Sequence, residues 1–187
     1  MRLFIALNLD DVLRDRLQRD AAVLRAALPG ASWVRAQNLH CTIKFLGEVE
    51  AGAAAAIGDL LRPVAVGHSA IETWLGGAGA FPSLARPRVV WVGLHDDGSI
   101  AALAKDVEAA CGALGFPAEE RAFSAHVTLG RVRREPPRQS TTALRLAAGA
   151  LDGPYPVRFE ALDLMESELA PDGSRYSTVV SLPLGDA

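Results

Sequence analysis

His40-Cys-Thr-Ile-Lys-Phe-Leu-Gly47 (HCTIKFLG) has its opening repeated further along the chain as His126-Val-Thr-Leu-Gly-Arg131 (HVTLGR). Each stretch places a histidine, one intervening residue and a threonine at the head of an apolar run. Residues two apart in a strand share a face. His40 and Thr42 therefore fall on one side with Lys44, and Cys41, Ile43 and Phe45 on the other. His126 and Thr128 oppose Val127 and Leu129 in the same way. If helices cover the apolar side, the histidine and threonine side stays open. Two such open faces confronting each other would gather two imidazoles and two hydroxyls around one cavity.

The flanking segments repeat as well. RLFIALNL reads as a strand, DVLRDRLQRDAAVLRAALPG as a helix stopped by Pro29-Gly30, and NLHCTIKFLGEV as a second strand. PRVVWVGL, SIAALAKDVEAACGALG and SAHVTLGRV give strand, helix and strand again, the helix showing Ile100, Leu103, Val107, Cys111 and Leu114 on one apolar face. His40 and His126, Arg2 and Arg88, Asp10 and Asp96, Arg35 and Arg121, and Thr42 and Thr128 are each 86 residues apart. A spacing held across strand, helix and strand predicts an internal duplication, with units of about residues 1–85 and 86–187. EAGAAAAIGDLLRPV and STTALRLAAGAL read as further helices, AIETWLGGAGAF as a strand, and FPSLARPR as a proline-punctuated connector. The closing VRFEALDLMESELAPDGSRYSTVVSLPL reads as two strands turned at Pro171-Asp172-Gly173. Mixed sheets, each covered on one side by helices, are expected, in two lobes with a groove between them.

Bulk properties bound what such a fold can be. The 187 residues, half of them hydrophobic and 22% charged, suffice for one folded domain of two small lobes. A net charge of −3 argues against a general nucleic-acid coat, which needs basic surface to displace counterions. Of the 19 basic residues only Lys44 and Lys105 are lysines. The apolar run of MRLFIALNLDD is too brief for a secretory signal or a membrane span, which points to the cytoplasm. Cys41 and Cys111 form no CxxC pair and read as buried small hydrophobes. His68 and His95 lack a threonine partner and read as structural or solvent-facing.

Two imidazoles and two hydroxyls suit hydrolysis of a phosphodiester. A neutral imidazole takes a proton from water while a protonated one gives a proton to the departing alkoxide. Threonine hydroxyls donate to the non-bridging oxygens as charge builds. A metal site would need a third ligand, and no carboxylate or further histidine stands at ligand spacing. No Gly-x-Ser-x-Gly turn offers a serine nucleophile.

With MRLFIALNL, FPSLARPRVVWVGL and MESELAPDGSRYSTVVSLPL beside them, the two motifs resemble those of the bacterial RNA 2′,3′-cyclic phosphodiesterases, also called 2′-5′ RNA ligases, of the two-histidine phosphoesterase superfamily. The likeness spans essentially the whole chain. It implies an α+β, bilobed fold: two pseudo-symmetric lobes of mainly antiparallel sheet, helices on the outer faces and a central cleft, in a single catalytic domain over residues 1–187. It also implies opening of RNA 2′,3′-cyclic phosphate ends to 2′-phosphomonoesters without cofactor or metal, and reversibly an ATP-independent 2′-5′ ligation. His40 becomes the proton donor, His126 the proton acceptor, Thr42 and Thr128 the phosphate-holding residues, and Arg131, which matches an arginine the family commonly shows after its second motif, a substrate-binding residue. Strict alternation turns Arg131 away from His126 unless a bulge intervenes. Lys44, on the open face, is expected against the RNA backbone, and Arg131, Arg133, Arg134 and Arg138 of RVRREPPR on a positive rim. Phe4, Phe45 and Trp91 are expected mostly in the core. The expected partner is an RNA with a cyclic phosphate end, bound by a monomer. The alternatives are a small cyclic substrate such as ADP-ribose 1″,2″-cyclic phosphate, and a non-catalytic RNA-binding module.

Overall fold

The computed structural model describes residues 1–50, 52–170 and 173–185. Among these, nine strands and five helices follow in the order β1 (Arg2–Asn8), α1 (Asp11–Asp20), α2 (Ala22–Ala27), β2 (Ser32–Trp33), β3 (His40–Glu48), α3 (Ala53–Val66), β4 (Ile71–Ser83), β5 (Arg86–Leu94), α4 (Ser99–Ala113), β6 (His126–Arg131), α5 (Arg138–Ala148), β7 (Tyr155–Phe159), β8 (Ala161–Ala170) and β9 (Gly173–Pro183). The expected α+β class holds, with all strand pairs within the sheet antiparallel.

Instead of separate mixed sheets, the chain builds one curled sheet in the order β7-β4-β5-β6-β3-β1-β8-β9, with β2 beside β6. The two lobes meet where β3 pairs with β6 through Cys41 and Val127. These residues are themselves 86 apart, so the pseudo-two-fold passes between them. β4 crosses to lie beside β5, and β8 crosses to lie beside β1. Each half thus lends strands to the other's lobe.

The helices bury one face of the sheet. Leu3, Ile5 and Leu7 of β1, Cys41 and Ile43 of β3, and Val127 and Leu129 of β6 join Leu17, Leu24, Leu61, Leu103 and Val107 in the main core. The 86-residue spacing survives at the helix starts. Asp10 accepts the Leu13 N–H at 2.8 Å and caps α1, and Asp96 accepts N–H groups of Ile100 and Ala101 at 3.0 Å at the head of α4. It slips by one in the leading strands, where Leu7 faces Cys41 but Val92 faces Val127.

Several sequence expectations need correction. α1 and α2 are two helices broken at Ala21, and β2 was not foreseen. The C-terminal run holds three strands, because β7 ends before Glu160 and β8 begins after it. β8 and β9 do form the hairpin, pairing Ala170 with Gly173, while the expectation of a turn at Pro171 and Asp172 falls outside the described residues. Leu114 leaves the apolar face of α4 at its C-terminal cap and is 47% exposed. Cys41 and Cys111 are free and buried, and burial pushes their thiols up to about 12 and about 11. Among the described residues, no helix is long and apolar enough to cross a membrane.

Candidate active site

Antiparallel pairing of Cys41 with Val127 sets Thr128 opposite His40 and His126 opposite Thr42. All four side chains leave the sheet on the face away from the helices, and all four residues are half-buried. Diagonal positions across such a pair lie about 7–8 Å apart, so the two imidazoles can meet on one phosphate.

Each imidazole is held in one way. His40 Nδ1 lies 2.7 Å from the Asn38 carbonyl and His126 Nδ1 lies 2.7 Å from the Ser124 carbonyl. A carbonyl only accepts, so both Nδ1 atoms donate and the neutral rings carry their lone pairs on Nε2. The Thr42 hydroxyl, 3.0 Å from His40 Nε2, then donates to it. Aromatic rings wall both histidines. Phe4 lies 4.9 Å and Tyr176 5.4 Å from His40, and Phe81 lies 5.1 Å and Trp91 6.2 Å from His126, all between ring centres.

This setting favours the neutral form of both rings. Burial chiefly lowers His40 to about 4, and the positive charges of Arg14 and Arg131, with that of His126 whenever it is protonated, push the same way against the Asn38 hydrogen bond. Burial, then Arg131, lowers His126 against its bond to Ser124. Arg131 thus acts electrostatically on both histidines.

Bulges explain why Arg131 reaches this face and Lys44 does not. The β1–β3 register skips Ile43 between Thr42 and Lys44, and the β5–β6 register skips Leu129 between Thr128 and Gly130. Each bulge inverts the alternation beyond it. Arg131 thereby returns to the histidine side. Lys44, expected against RNA, turns inward to 2% exposure, and Phe45, expected on the packed face, is 55% exposed. Phe4 is buried, as expected, and Trp91 is half-buried with its ring over Gly79. Arg133, Arg134 and Arg138 are exposed beyond the end of β6.

His68 pairs with Asp106 at 2.9 Å, and His95 stacks on Trp74 at 4.9 Å, so neither joins the site. Sequence reasoning missed the shell around His40. Arg14 of α1 donates to the Leu39 carbonyl at 3.3 Å and the Asn8 side chain at 3.1 Å, and Asn8 donates to buried Asp163 at 2.8 Å. Asn8 was within reach of a register argument, as it pairs with His40. Arg14 and Asp163 had no local signal.

The model of the 2′-5′ RNA ligase superfamily matches residues 13–170. The chain belongs to the 2′-5′ RNA ligase superfamily. Within that superfamily it is similar to a protein of Archaeoglobus fulgidus named RNA 2′,3′-cyclic phosphodiesterase, at 35% identity over 94% of this chain and 96% of the relative. A protein of the same name from Methanothermobacter thermautotrophicus is 32% identical over 95% of each chain. The solved structure of TT0787 of Thermus thermophilus superposes with a TM-score of 0.82 at 26% identity, over 100% of this chain and 99% of the other. E. coli LigT complexed with 3′-AMP superposes with a TM-score of 0.76 at 25% identity, over 98% and 97%. The superfamily fold is therefore the one described above.

Proposed function

We propose that this chain opens 2′,3′-cyclic phosphate ends of RNA to 2′-phosphomonoesters. The observation that carries the reading is the pairing of Cys41 with Val127, which sets both His-x-Thr motifs side by side on one open face. The names of the full-length relatives support the same substrate. In this reading His126 Nε2 takes a proton from water as its oxygen attacks phosphorus. His40, protonated on Nε2, gives that proton to the departing 3′ oxygen as the P–O3′ bond breaks. His40 is neutral in the free cleft, so it takes up the proton it delivers from solvent as substrate binds, the phosphate anion favouring the charged ring. Thr42 and Thr128 donate to the non-bridging oxygens, and Arg131 offsets the charge that builds there.

Reversal of the same steps joins a 5′-hydroxyl RNA end to the cyclic phosphate in a 2′-5′ linkage, with no ATP consumed. Water at its ordinary concentration favours hydrolysis. In this reading the protein is cytoplasmic, and it acts as a monomer, since one sheet already carries both motifs. The two halves, about residues 1–85 and 86–187, are taken as copies of one ancestral unit.

The test is product analysis on an oligonucleotide ending in a 2′,3′-cyclic phosphate, beside the cyclic mononucleotide, with chelator present. A 2′-phosphate product, formed faster from the oligonucleotide, is expected. A 3′-phosphate product would reverse the assigned polarity, and turnover of the mononucleotide alone would point to a small-molecule substrate.

A further inference from the structure

Lys44 takes no part in the steps above, yet a buried cation needs a reason. Its Nζ donates to Glu108 Oε2 at 2.8 Å and to the Pro117 carbonyl at 2.9 Å. Glu108 Oε1 in turn accepts the Glu119 N–H at 3.1 Å. A methionine of similar length would fill the space without taking a charge out of water. What the lysine adds is a tether. Among the described residues, two hydrogen bonds join residues 117–119 to the body of the protein, and both involve this pair. Residues 117–119 lie in the irregular run from Gly115 to Ala125, which ends by presenting the Ser124 carbonyl to His126 Nδ1.

The other motif has a matching contact. Gly130 stands 86 residues after Lys44, and Trp33 stands 86 before Glu119. Trp33 pairs with Gly130 in the sheet and lays its ring there so closely that a Cβ on Gly130 would come within 2.8 Å of it. The Val34 N–H donates to the Leu129 carbonyl at 2.9 Å beside it. β2 lies in the run that presents the Asn38 carbonyl to His40 Nδ1. Each motif strand therefore holds, from the second residue past its threonine, the run leading to the other histidine.

We propose that Lys44, acting through Glu108, is a positioning residue for His126. It fixes the run that carries Ser124, so that the carbonyl holds the Nδ1 proton and leaves Nε2 toward the phosphate, as the Gly130–Trp33 contact does for His40. This deepens the functional reading and rests on it for the role of His126.

The test records the imidazole tautomers of His126 and His40 by long-range ¹H–¹⁵N NMR in wild type, Lys44→Met and Glu108→Gln. Alongside, kcat and KM are measured on the cyclic-phosphate oligonucleotide. In both variants His126 is expected to pass from a single Nδ1–H form to a mixture while His40 keeps its own. kcat should fall about tenfold, with KM changed less than about twofold. A folded variant whose His126 stays wholly Nδ1–H with kcat unchanged overturns the proposal. Should Lys44→Met not fold, Glu108→Gln decides it, because that side chain is 33% exposed and keeps its shape. Failure of wild type to turn over the oligonucleotide would defeat the functional reading, and the tautomer measurement would still decide the positioning role.

Discussion

His40 and His126 share a hydrogen-bond pattern but not an environment. Each donates Nδ1–H to the carbonyl two residues earlier, yet His40 is the more strongly desolvated, with Arg14 as well as Arg131 beside it. Burial lowers both rings below 6.5, and the sign of the pH dependence follows. An acid–base pair works best between its two pKa values, and kcat/KM reports the free protein. The optimum of kcat/KM is therefore expected below pH 6.5, with activity falling as pH rises through the higher of the two values. Bound phosphate raises the imidazole that must carry a proton, so the kcat profile is expected to lie at higher pH than the kcat/KM profile. Steady-state kinetics from pH 4 to 8 check both statements; coincident profiles centred above pH 7 would contradict them.

Among the elements, the motif strands show what period-two reading captures and where it stops. Alternation correctly put His40, Thr42, His126 and Thr128 on one face and Cys41 and Val127 on the other. It failed from the second residue past each threonine, because a bulge is set by how partner strands register and leaves no mark in the strand's own composition. Lys44 and Phe45 changed places for that reason, and Arg131 came round to the histidines. The strands and helices were legible because their periodicity is strong. β2 was not, since two residues carry no period. Trp91 shows a further dependence on a partner strand. Its ring occupies the space over Gly79, where a Cβ would come within 2.4 Å. Gly79→Ala is expected to cost about 1–3 kcal/mol by overpacking, and to lower activity by lifting Trp91 beside Thr128 and His126. Urea unfolding read beside turnover measures both; a variant as stable as wild type would show that the ring moves freely.

For the whole molecule, the consequential feature is that neither half keeps its strands to itself. The repeated 86-residue spacing was legible along the chain, but the crossing of β4 and β8 was not, because local pattern does not say which edge a strand joins. Fragments 1–84 and 85–187, cut in the turn between β4 and β5, are therefore expected to be unfolded singly and to regain activity when mixed. Circular dichroism and an activity assay of the mixture check this, and a fragment that folds alone would contradict the interwoven sheet. The central claim is that two imidazoles, brought together by β3 and β6, act on one phosphorus atom. Its most direct test is the rate at which His40→Ala and His126→Ala open a cyclic-phosphate RNA end. Each is expected to lose about 10²–10⁴-fold in kcat while remaining folded; either variant turning over within a few-fold of wild type would contradict the claim.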